Sequence, residues 1–313
     1  MSDRVSLFEV GPRDGLQNEK ETVSTLRKVE LIERLVSAGL QKVEATSFVN
    51  PKWIPQLADA VEVLEQVRRE PGVLYSALVP NLKGLERARQ TRMEEVAVFM
   101  SSSEAHNKSN INKTIEETFP VLREVVEAAR AAGMRVRGYV STAFGCPYEG
   151  EVPLASVTRV TQELFDMGVY EVSIGDTIGV GTPIVVRERF AALAAEFGAE
   201  RLAGHFHDTR GTGLANVYAA LEAGIRTFDS SIGGLGGCPY APGASGNIST
   251  EDVVYMLHGM GIETGVSFEK LIEAGLFMEE TLGRTLPSRV LQAMKHTVEG
   301  ECGNGYTADK ANA

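Results

Sequence analysis

Cysteine is scarce in this chain of 313 residues, which contains only three. Cys146, Cys238 and Cys302 are too few and too far apart for a disulfide framework or a CxxC zinc site. We therefore expect a cytoplasmic protein that keeps its thiols reduced. A strand-like stretch begins at Val5, so we expect neither a signal peptide nor a transit peptide.

An excess of basic residues is also missing. The chain has 31 Lys and Arg against 42 Asp and Glu, a formal net charge of −11. This balance argues against nucleic acid as a partner, because proteins that neutralise phosphates normally carry a basic excess. The apolar stretches are short and interrupted by charges. None reaches the roughly 18 residues of a spanning helix, so we expect no membrane insertion.

Short runs rich in β-branched residues alternate with amphipathic stretches, which is typical of successive βα units. The predicted strands are residues 5–10, 42–48, 73–79, 95–101, 135–144, 171–177, 202–208 and 227–234. In the first helical stretch, the predicted apolar face comprises Leu26, Val29, Ile32, Leu35 and Val36. Eight such units favour a closed (β/α)8 barrel, the TIM barrel, over a doubly wound sheet. No Gly-x-Gly-x-x-Gly opens the first helix, which further disfavours a dinucleotide-binding fold.

After residue 247 the chain continues with three further helical stretches. We expect the first to close the barrel and the other two to pack beside it. No low-complexity linker marks a boundary, so residues 1–300 are predicted to form a single catalytic domain with C-terminal helices. The polar residues 301–313 are predicted to be a disordered tail.

Polar residues able to do chemistry fall at or near the carboxyl ends of the predicted strands, where the working residues of such barrels lie. In chain order they are Arg13, Asp14, Glu44, Ser47, Asp176, His205, His207, Cys238 and Asn247. We expect all of them to face one mouth of the barrel.

The stretch His205-Phe206-His207 indicates a metal site. Residues two apart on a strand point to the same face, so both imidazoles can reach one ion. Asp14 would add a carboxylate and Asn247 an amide oxygen, a mixed set that favours Mg²⁺ or Mn²⁺, with Zn²⁺ less favoured because no thiolate pattern is present. The alternative is a histidine pair that is only packed and hydrogen-bonded. The convergence of several polar groups at one rim favours the metal.

The stretch "GGLGGCPYAPGASGN", residues 233–247, places Cys238 among glycines. Glycines let the backbone bend sharply and move, and an exposed thiol there could swing over a bound substrate. The alternative is a tight turn that needs glycine for its backbone angles and holds a cysteine by chance. Cys146 and Cys302 are interpreted as inert.

Five stretches carry a resemblance to a known family: "VGPRDGLQNE", "SFVNPKWIPQ", "GDTIGVGTP", "HFHDT" and "GGLGGCPYAPGASGN". Together they resemble 3-hydroxy-3-methylglutaryl-CoA lyases, from about residue 5 to about residue 295. The glycine-cysteine stretch is specific to these lyases, whereas RDG and HxH are shared with relatives such as isopropylmalate synthase. The resemblance implies a (β/α)8 enzyme that cleaves (S)-3-hydroxy-3-methylglutaryl-CoA to acetyl-CoA and acetoacetate.

The resemblance also implies a role for each residue at the mouth. Arg13 would lie beside the reacting carbonyl, and Cys238 would be the proton donor. A divalent metal would be held by Asp14, His205, His207 and Asn247. The acid-base or orienting groups would be Glu44 and Asp176, and the hydroxyl proton could pass to Glu44 or to His205 supported by Asp176. The substrate contacts would be Arg13, Lys20, Ser47, Asn110 and Ser173. A homodimer is implied as well.

Two departures from the family pattern concern the acyl group. Arg210 stands where many of these lyases have tyrosine, and the stretch "STAFGCPYEG" also differs from the family's usual residues. A longer 3-hydroxy-3-alkylglutaryl-CoA is therefore an alternative substrate. The CoA phosphates need local cations, for which Lys20, Lys108 and Lys113 are the candidates.

Two functional alternatives remain open at the level of the sequence. A Claisen synthase or aldolase acting on 2-oxo acids would use the same metal site with a different carbonyl acceptor. A catalytically silent barrel used as a binding protein would keep the fold alone. The sequence does not distinguish leucine breakdown from the breakdown of a terpenoid-derived substrate.

Overall fold

Eight parallel strands close into a barrel in chain order, with β8 pairing with β1. A computed structural model describes residues 4–237 and 246–298. The strands are β1 Ser6–Glu9, β2 Lys42–Ser47, β3 Leu74–Leu78, β4 Glu95–Ser101, β5 Arg135–Ser141, β6 Glu171–Asp176, β7 Leu202–Phe206 and β8 Thr227–Ser230. This arrangement confirms the predicted (β/α)8 barrel.

Helices cover the outside of the barrel. Those that lie between strands are α1 Thr25–Ser37, α2 Ala60–Gln66, α3 Leu82–Arg89, α4 Glu104–Ile111, α5 Ile115–Ala131, α6 Leu154–Met167, α7 Pro183–Phe197 and α8 Gly213–Glu222. The predicted C-terminal helices are α9 Thr250–Gly259, α10 Phe268–Leu282 and α11 Arg289–Val298. Within the described ranges, no helix has the length and apolar character needed to cross a membrane. The predicted domain limit at 300 and the tail at 301–313 lie outside the described residues.

Alternation along the strands separates the outer core from the barrel interior. On β4, Val96 and Val98 are fully buried and belong to the main core, which includes Val125 and Val126 of α5. Ala97, between them, points the other way. It forms a separate small cluster with Leu78 and Tyr139 inside the barrel.

The predicted strands extend too far at their carboxyl ends. The eighth ends at Ser230 rather than at residue 234, because residues Ile232–Gly234 form a 3₁₀ turn. The fifth ends at Ser141 rather than at residue 144, and Thr142 adopts a positive φ of 61°. These early ends produce the loops that line the mouth.

At the N-terminal end of α1, the buried face of the helix differs from the predicted apolar face. Leu26 is 72% exposed, whereas Lys28 is 4% exposed. Lys28 is buried because its Nζ donates to the Gln56 carbonyl oxygen and to Asp59 Oδ1 (2.7 Å). A charged side chain, neutralised by its ion pair, is thus buried on α1 where hydrophobic periodicity alone would predict an apolar one.

Candidate active site

A single π-helical turn, residues Gly11–Gly15, follows β1 and carries Arg13 and Asp14. π-helical turns are rare and occur frequently at functional sites. The turn is fixed from below by Glu9, whose Oε1 accepts hydrogen bonds from the backbone N–H groups of Gly11 and Ile232, each at 2.8 Å. One carboxylate therefore ties the loop after β1 to the loop after β8.

Arg13 is buried between two carboxylates. Its Nε donates to Glu44 Oε2 at 2.5 Å, and its Nη1 donates to Asp14 Oδ1 at 2.6 Å. Burial acts to lower the pKa of Arg13, but Glu44 and Asp14 outweigh burial and raise it, so the guanidinium stays charged. Burial raises the pKa of Glu44, and Arg13 opposes that rise.

The predicted metal ligands come together at this mouth. Asp14, His205 and His207 each offer one ligand atom, and these atoms all lie within 4.8 Å of one another. The fourth predicted ligand, Asn247, lies against them, because its Nδ2 donates to Asp14 Oδ2 at 2.7 Å. Four residues from distant parts of the chain thus meet at one point.

The charges of the cluster suit a cation. Burial lowers the pKa of His207 to about 4, so this imidazole is neutral at neutral pH and has a lone pair to offer. Burial acts to raise the pKa of Asp14, but the neighbouring Arg13 charge above all opposes it, and the pKa lies below its usual range. Asp14 is therefore an ionised carboxylate beside the neutral imidazole of His207.

His205 is held by Asp229 rather than by Asp176. The distance from His205 Nδ1 to Asp229 Oδ2 is 3.1 Å. Both oxygens of Asp176 instead accept backbone N–H groups, from Val180 at 3.0 Å and from Gly181 at 2.8 Å. The hydrogen bond of His205 Nδ1 thus goes to Asp229, whereas Asp176 is close enough to interact with His205 by charge, and support of His205 by Asp176 stays a prediction.

Besides Asp229, the structure adds Glu9, Glu251 and Tyr139, which the sequence patterns did not indicate. Glu251 accepts hydrogen bonds from the Gly233 N–H and from Ser249 Oγ, and so holds the loop after β8, as Glu9 does. The Tyr139 hydroxyl is buried without a partner among the described residues, with its ring 6.2 Å from that of His205. For Glu9 and Tyr139 the available signal was a charged or polar residue inside a largely apolar strand, whereas Glu251 lies in the first turn of α9 and gave no such signal.

The predicted substrate contacts fall into two groups. Ser47 and Ser173 are buried in the barrel, where Ser173 Oγ donates to Asp229 Oδ2 at 2.6 Å and Ser47 Oγ donates to the Leu78 carbonyl at 3.3 Å. Lys20 and Asn110 are exposed. Asn110 lies on α4, and no contact among the described residues brings it to the metal cluster. Substrate binding by these four residues stays a prediction.

Cys238 lies outside the described residues, as does Cys302. The glycines flanking the stretch 238–245 are close together, since a Cβ added to Gly246 would lie 1.9 Å from the Gly236 carbonyl oxygen. A Cβ added to Gly236 would lie 2.6 Å from Asn247 Nδ2. The described glycines on the two sides of this stretch, Gly236 and Gly246, therefore both lie beside the predicted ligand Asn247. Cys146 is buried, and its Sγ accepts a hydrogen bond from Ser103 Oγ.

Comparisons with known proteins identify a family and several relatives of the chain. Residues 4–277 match the family model described as HMGL-like. A mitochondrial hydroxymethylglutaryl-CoA lyase of Bos taurus is 53% identical over 290 residues, 93% of this chain and 89% of that protein. A Pseudomonas aeruginosa protein named 3-hydroxy-3-isohexenylglutaryl-CoA/hydroxy-methylglutaryl-CoA lyase is 52% identical over 291 residues, 93% of this chain and 97% of that protein. The solved HMG-CoA lyase of Bacillus subtilis matches with a TM-score of 0.93 at 52% identity, covering 94% of this chain and 100% of that chain.

Proposed function

The chain belongs to the HMGL-like family, and we propose that it is a carbon-carbon lyase that cleaves 3-hydroxy-3-methylglutaryl-CoA to acetyl-CoA and acetoacetate. One observation carries the proposal. Arg13 is hydrogen-bonded to Asp14, and Asp14 belongs to the cluster with His205 and His207. The Arg13 guanidinium thus lies beside a cluster that can bind a metal ion. A reaction that develops negative charge on a thioester requires positive charge at this place.

The donor set fits a divalent metal, on which the family in general depends. Asp14, His205, His207 and Asn247 would hold the ion, and one carboxylate, two imidazoles and an amide oxygen favour Mg²⁺ or Mn²⁺ over Zn²⁺. His207 Nδ1 is buried without a hydrogen-bond partner among the described residues, which fits an imidazole whose other interactions are left to a ligand. When bound, the ion would act as a Lewis acid that lowers the pKa of the substrate hydroxyl and polarises the ketone that forms.

Arg13 is oriented for the thioester oxygen. Two of its nitrogens are committed to Glu44 and Asp14, and Nη2 makes no hydrogen bond within the described part of the chain. A guanidinium held at two points loses little freedom when its remaining donors meet a substrate. Those donors can stabilise the enolate oxygen as negative charge grows on it.

Two groups can receive the hydroxyl proton. His205 has Nδ1 engaged with Asp229, so it has one nitrogen left, and that nitrogen cannot ligate an ion and accept a proton at the same time. Glu44 Oε1 is buried without a partner among the described residues, and burial raises the pKa of this carboxyl. If His205 binds the metal, it has no nitrogen free to act as a base. We therefore assign Glu44 as the acceptor of the substrate hydroxyl proton.

Cys238 is proposed as the donor that protonates the carbon of the departing enolate. It is two residues beyond Gly236, and two residues span at most about 7 Å. Gly236 lies against Asn247, which supports a donor role for Cys238 at this site. A glycine-rich stretch would let the thiol move up to the substrate after the bond breaks.

The proposed reaction is tested by coupled assay of acetoacetate release from 3-hydroxy-3-methylglutaryl-CoA with Mg²⁺ or Mn²⁺. A parallel reaction contains acetyl-CoA and a 2-oxo acid. We expect lysis and no condensation product. Condensation without lysis would favour a synthase, and tight metal binding without turnover of any acyl-CoA would favour a silent barrel.

A longer acyl group is a second candidate substrate. The P. aeruginosa relative, whose name includes a 3-hydroxy-3-isohexenylglutaryl-CoA activity, is about as similar as the Bos taurus lyase. Arg210 does not decide between them, because its Nη1 donates to the carbonyl oxygens of Ile178 (2.6 Å) and Gly179 (3.1 Å). A series of 3-hydroxy-3-alkylglutaryl-CoA thioesters compared by kcat/KM would separate the two specificities.

Three further expectations stay proposals. An acyl-CoA partner would have its phosphates held by Lys20, Lys108 and Lys113. We also propose a homodimer, which a sizing column can test, and a cytoplasmic location, which cell fractionation can test.

A further inference from the structure

Asp229 connects a charged pair in the barrel interior to one imidazole of the metal cluster. Its side chain is fully buried on β8. Oδ1 accepts from Arg137 Nη2 at 2.7 Å, and Oδ2 accepts from Arg137 Nη1 at 3.3 Å and from Ser173 Oγ at 2.6 Å. Oδ2 also lies 3.1 Å from His205 Nδ1. The mechanism described above leaves this carboxylate without a role.

Arg137 fixes the orientation of Asp229. Its side chain is fully buried on β5, and it binds both oxygens of Asp229. Its Nε donates to Glu171 Oε1 at 2.7 Å on the neighbouring strand β6. A guanidinium held by two carboxylates inside a barrel has little freedom to rotate, and a bidentate pair fixes the plane of its partner. The carboxylate that faces His205 is therefore rigid.

The contact with Asp229 decides which nitrogen of His205 is free. An ionised carboxylate is only an acceptor, so the hydrogen bond requires the proton on Nδ1. In the neutral form of the ring, Nε2 then keeps its lone pair. Among the described residues, the neighbours of this ring include the Tyr139 ring at 6.2 Å and the His207 ring at 5.4 Å. Asp14 also offers a ligand atom within 4.8 Å of one on His205. None of the three accepts a hydrogen bond from Nε2 that would favour the opposite tautomer.

We propose that Asp229, held in place by Arg137, is a positioning residue that fixes His205 in its Nδ1–H tautomer and directs Nε2 toward the metal. The proposal rests on the metal site proposed above. Carboxylates that bind the second nitrogen of a ligating histidine commonly change metal affinity 10- to 100-fold when they are removed. The residue acts through His205 and does not touch the substrate.

Asp229→Asn tests the proposal, with Glu171→Gln as the matched control. Each substitution removes one carboxylate charge from Arg137, but Asp229 alone contacts His205. Mn²⁺ binding to the full chain is measured by electron paramagnetic resonance of the free ion. We expect the Kd of Asp229→Asn to rise about 10- to 100-fold and that of Glu171→Gln to stay close to the parent value. Equal weakening in both variants, or none in Asp229→Asn, would overturn the proposal.

A second measurement needs no substitution of Asp229, so it applies even if that variant does not fold. The metal-free protein is labelled with ¹⁵N-histidine, and the ring nitrogens of His205 are identified by their loss in His205→Gln. We expect a protonated Nδ1 and an unprotonated Nε2 on this ring. The opposite tautomer would exclude the role of Asp229. Absence of Mn²⁺ binding by the parent would instead count against the metal site, which keeps the two failures distinct.

Discussion

Arg13 and Glu44 form a buried ion pair across the mouth of the barrel, with 2.5 Å between Nε and Oε2. Arg13 lies on the turn after β1, and Glu44 lies inside β2, beside a shift in the pairing of β2 with β3. The pair sets the plane of the guanidinium before any substrate arrives. Preorganised donors of this kind need little rearrangement at the moment of reaction.

Arg13→Gln should cripple turnover while the fold remains intact. The substitution removes the donors proposed for the enolate oxygen, and loss of one such donor typically costs on the order of a hundredfold or more in kcat, about 3 kcal/mol. The measurement is kcat with saturating metal, together with the circular dichroism spectrum as a check on folding. Arg13→Lys keeps the charge but loses the planar fork, so it should restore only part of the activity. An unchanged kcat in Arg13→Gln would exclude the proposed role.

Cys238→Ala should abolish lysis and leave metal binding unchanged. The thiol is proposed to donate a proton and is not among the predicted ligands, so its removal leaves Asp14, His205, His207 and Asn247 in place. Turnover and Mn²⁺ affinity are measured on the same preparation. Loss of metal in this variant would indicate a structural role for the cysteine.

Asp14→Asn should weaken metal binding at least about tenfold, because it removes the only carboxylate of the proposed ligand set. Asp176→Asn is the matched control, since the Asp176 carboxylate is bonded to the amides of Val180 and Gly181. Chelation should also remove activity from the parent protein, and Mg²⁺ or Mn²⁺ should restore it. Equal metal affinities for Asp14→Asn and the parent would show that the ion binds elsewhere.

Buried carboxylates should make the protein less stable as the pH rises. Burial raises the pKa of Glu9 to about 7 and that of Glu251 to about 8, from 4.5. The folded state therefore binds more protons than the unfolded state above pH 4.5, and the free energy of unfolding falls until the pH passes the folded pKa. Between about pH 7 and 8 this effect comes mainly from Glu251. Each of the two carboxyls contributes at most about 1.4 kcal/mol per pH unit to this slope.

Glu251→Gln should flatten this profile, because an amide cannot ionise. Urea unfolding followed by circular dichroism between pH 6.5 and 8 gives the slopes. His207, whose pKa is lowered from 6.5 to about 4 in the folded protein, contributes with the opposite sign at the lower end of this window. That contribution is the same in parent and variant, so it cancels when their slopes are compared. Parallel slopes in parent and variant would contradict the prediction.

The sequence predicted the barrel because its local patterns agree with the fold at each step. Every predicted strand is present, and three helices follow residue 247 as predicted. The misses come from contacts that periodicity does not report. Lys28 is buried because it forms an ion pair with Asp59, which belongs to another segment of the chain. The hydrophobic pattern therefore predicts that Leu26 faces the core, although Lys28 does so instead.

The site was predictable at its rim but not in its interior. Asp14 and His207 are near strand ends, where the (β/α)8 topology alone brings them together. Asp229 and Arg137 lie inside β8 and β5, and their contact crosses the barrel. Such a contact depends on how the closed barrel fills its interior. Without that geometry, Asp176 at the end of β6 was the natural partner to expect for His205.

A bound metal would also stabilise the pairing between β1 and β8, the first and last strands of the barrel. Asp14 follows β1 directly, whereas His205, His207 and Asn247 come from β7 onward, and β1 joins β8 along the register from Ser6 with Thr227 to Glu9 with Ser230. An ion bound by all of them would cross-link the two termini of the sheet. Its binding free energy would then add to the cohesion of the closed ring by RT ln(1 + [metal]/Kd). Metal binding should therefore slow the separation of β1 from β8 more than it slows the separation of any other pair of neighbouring strands.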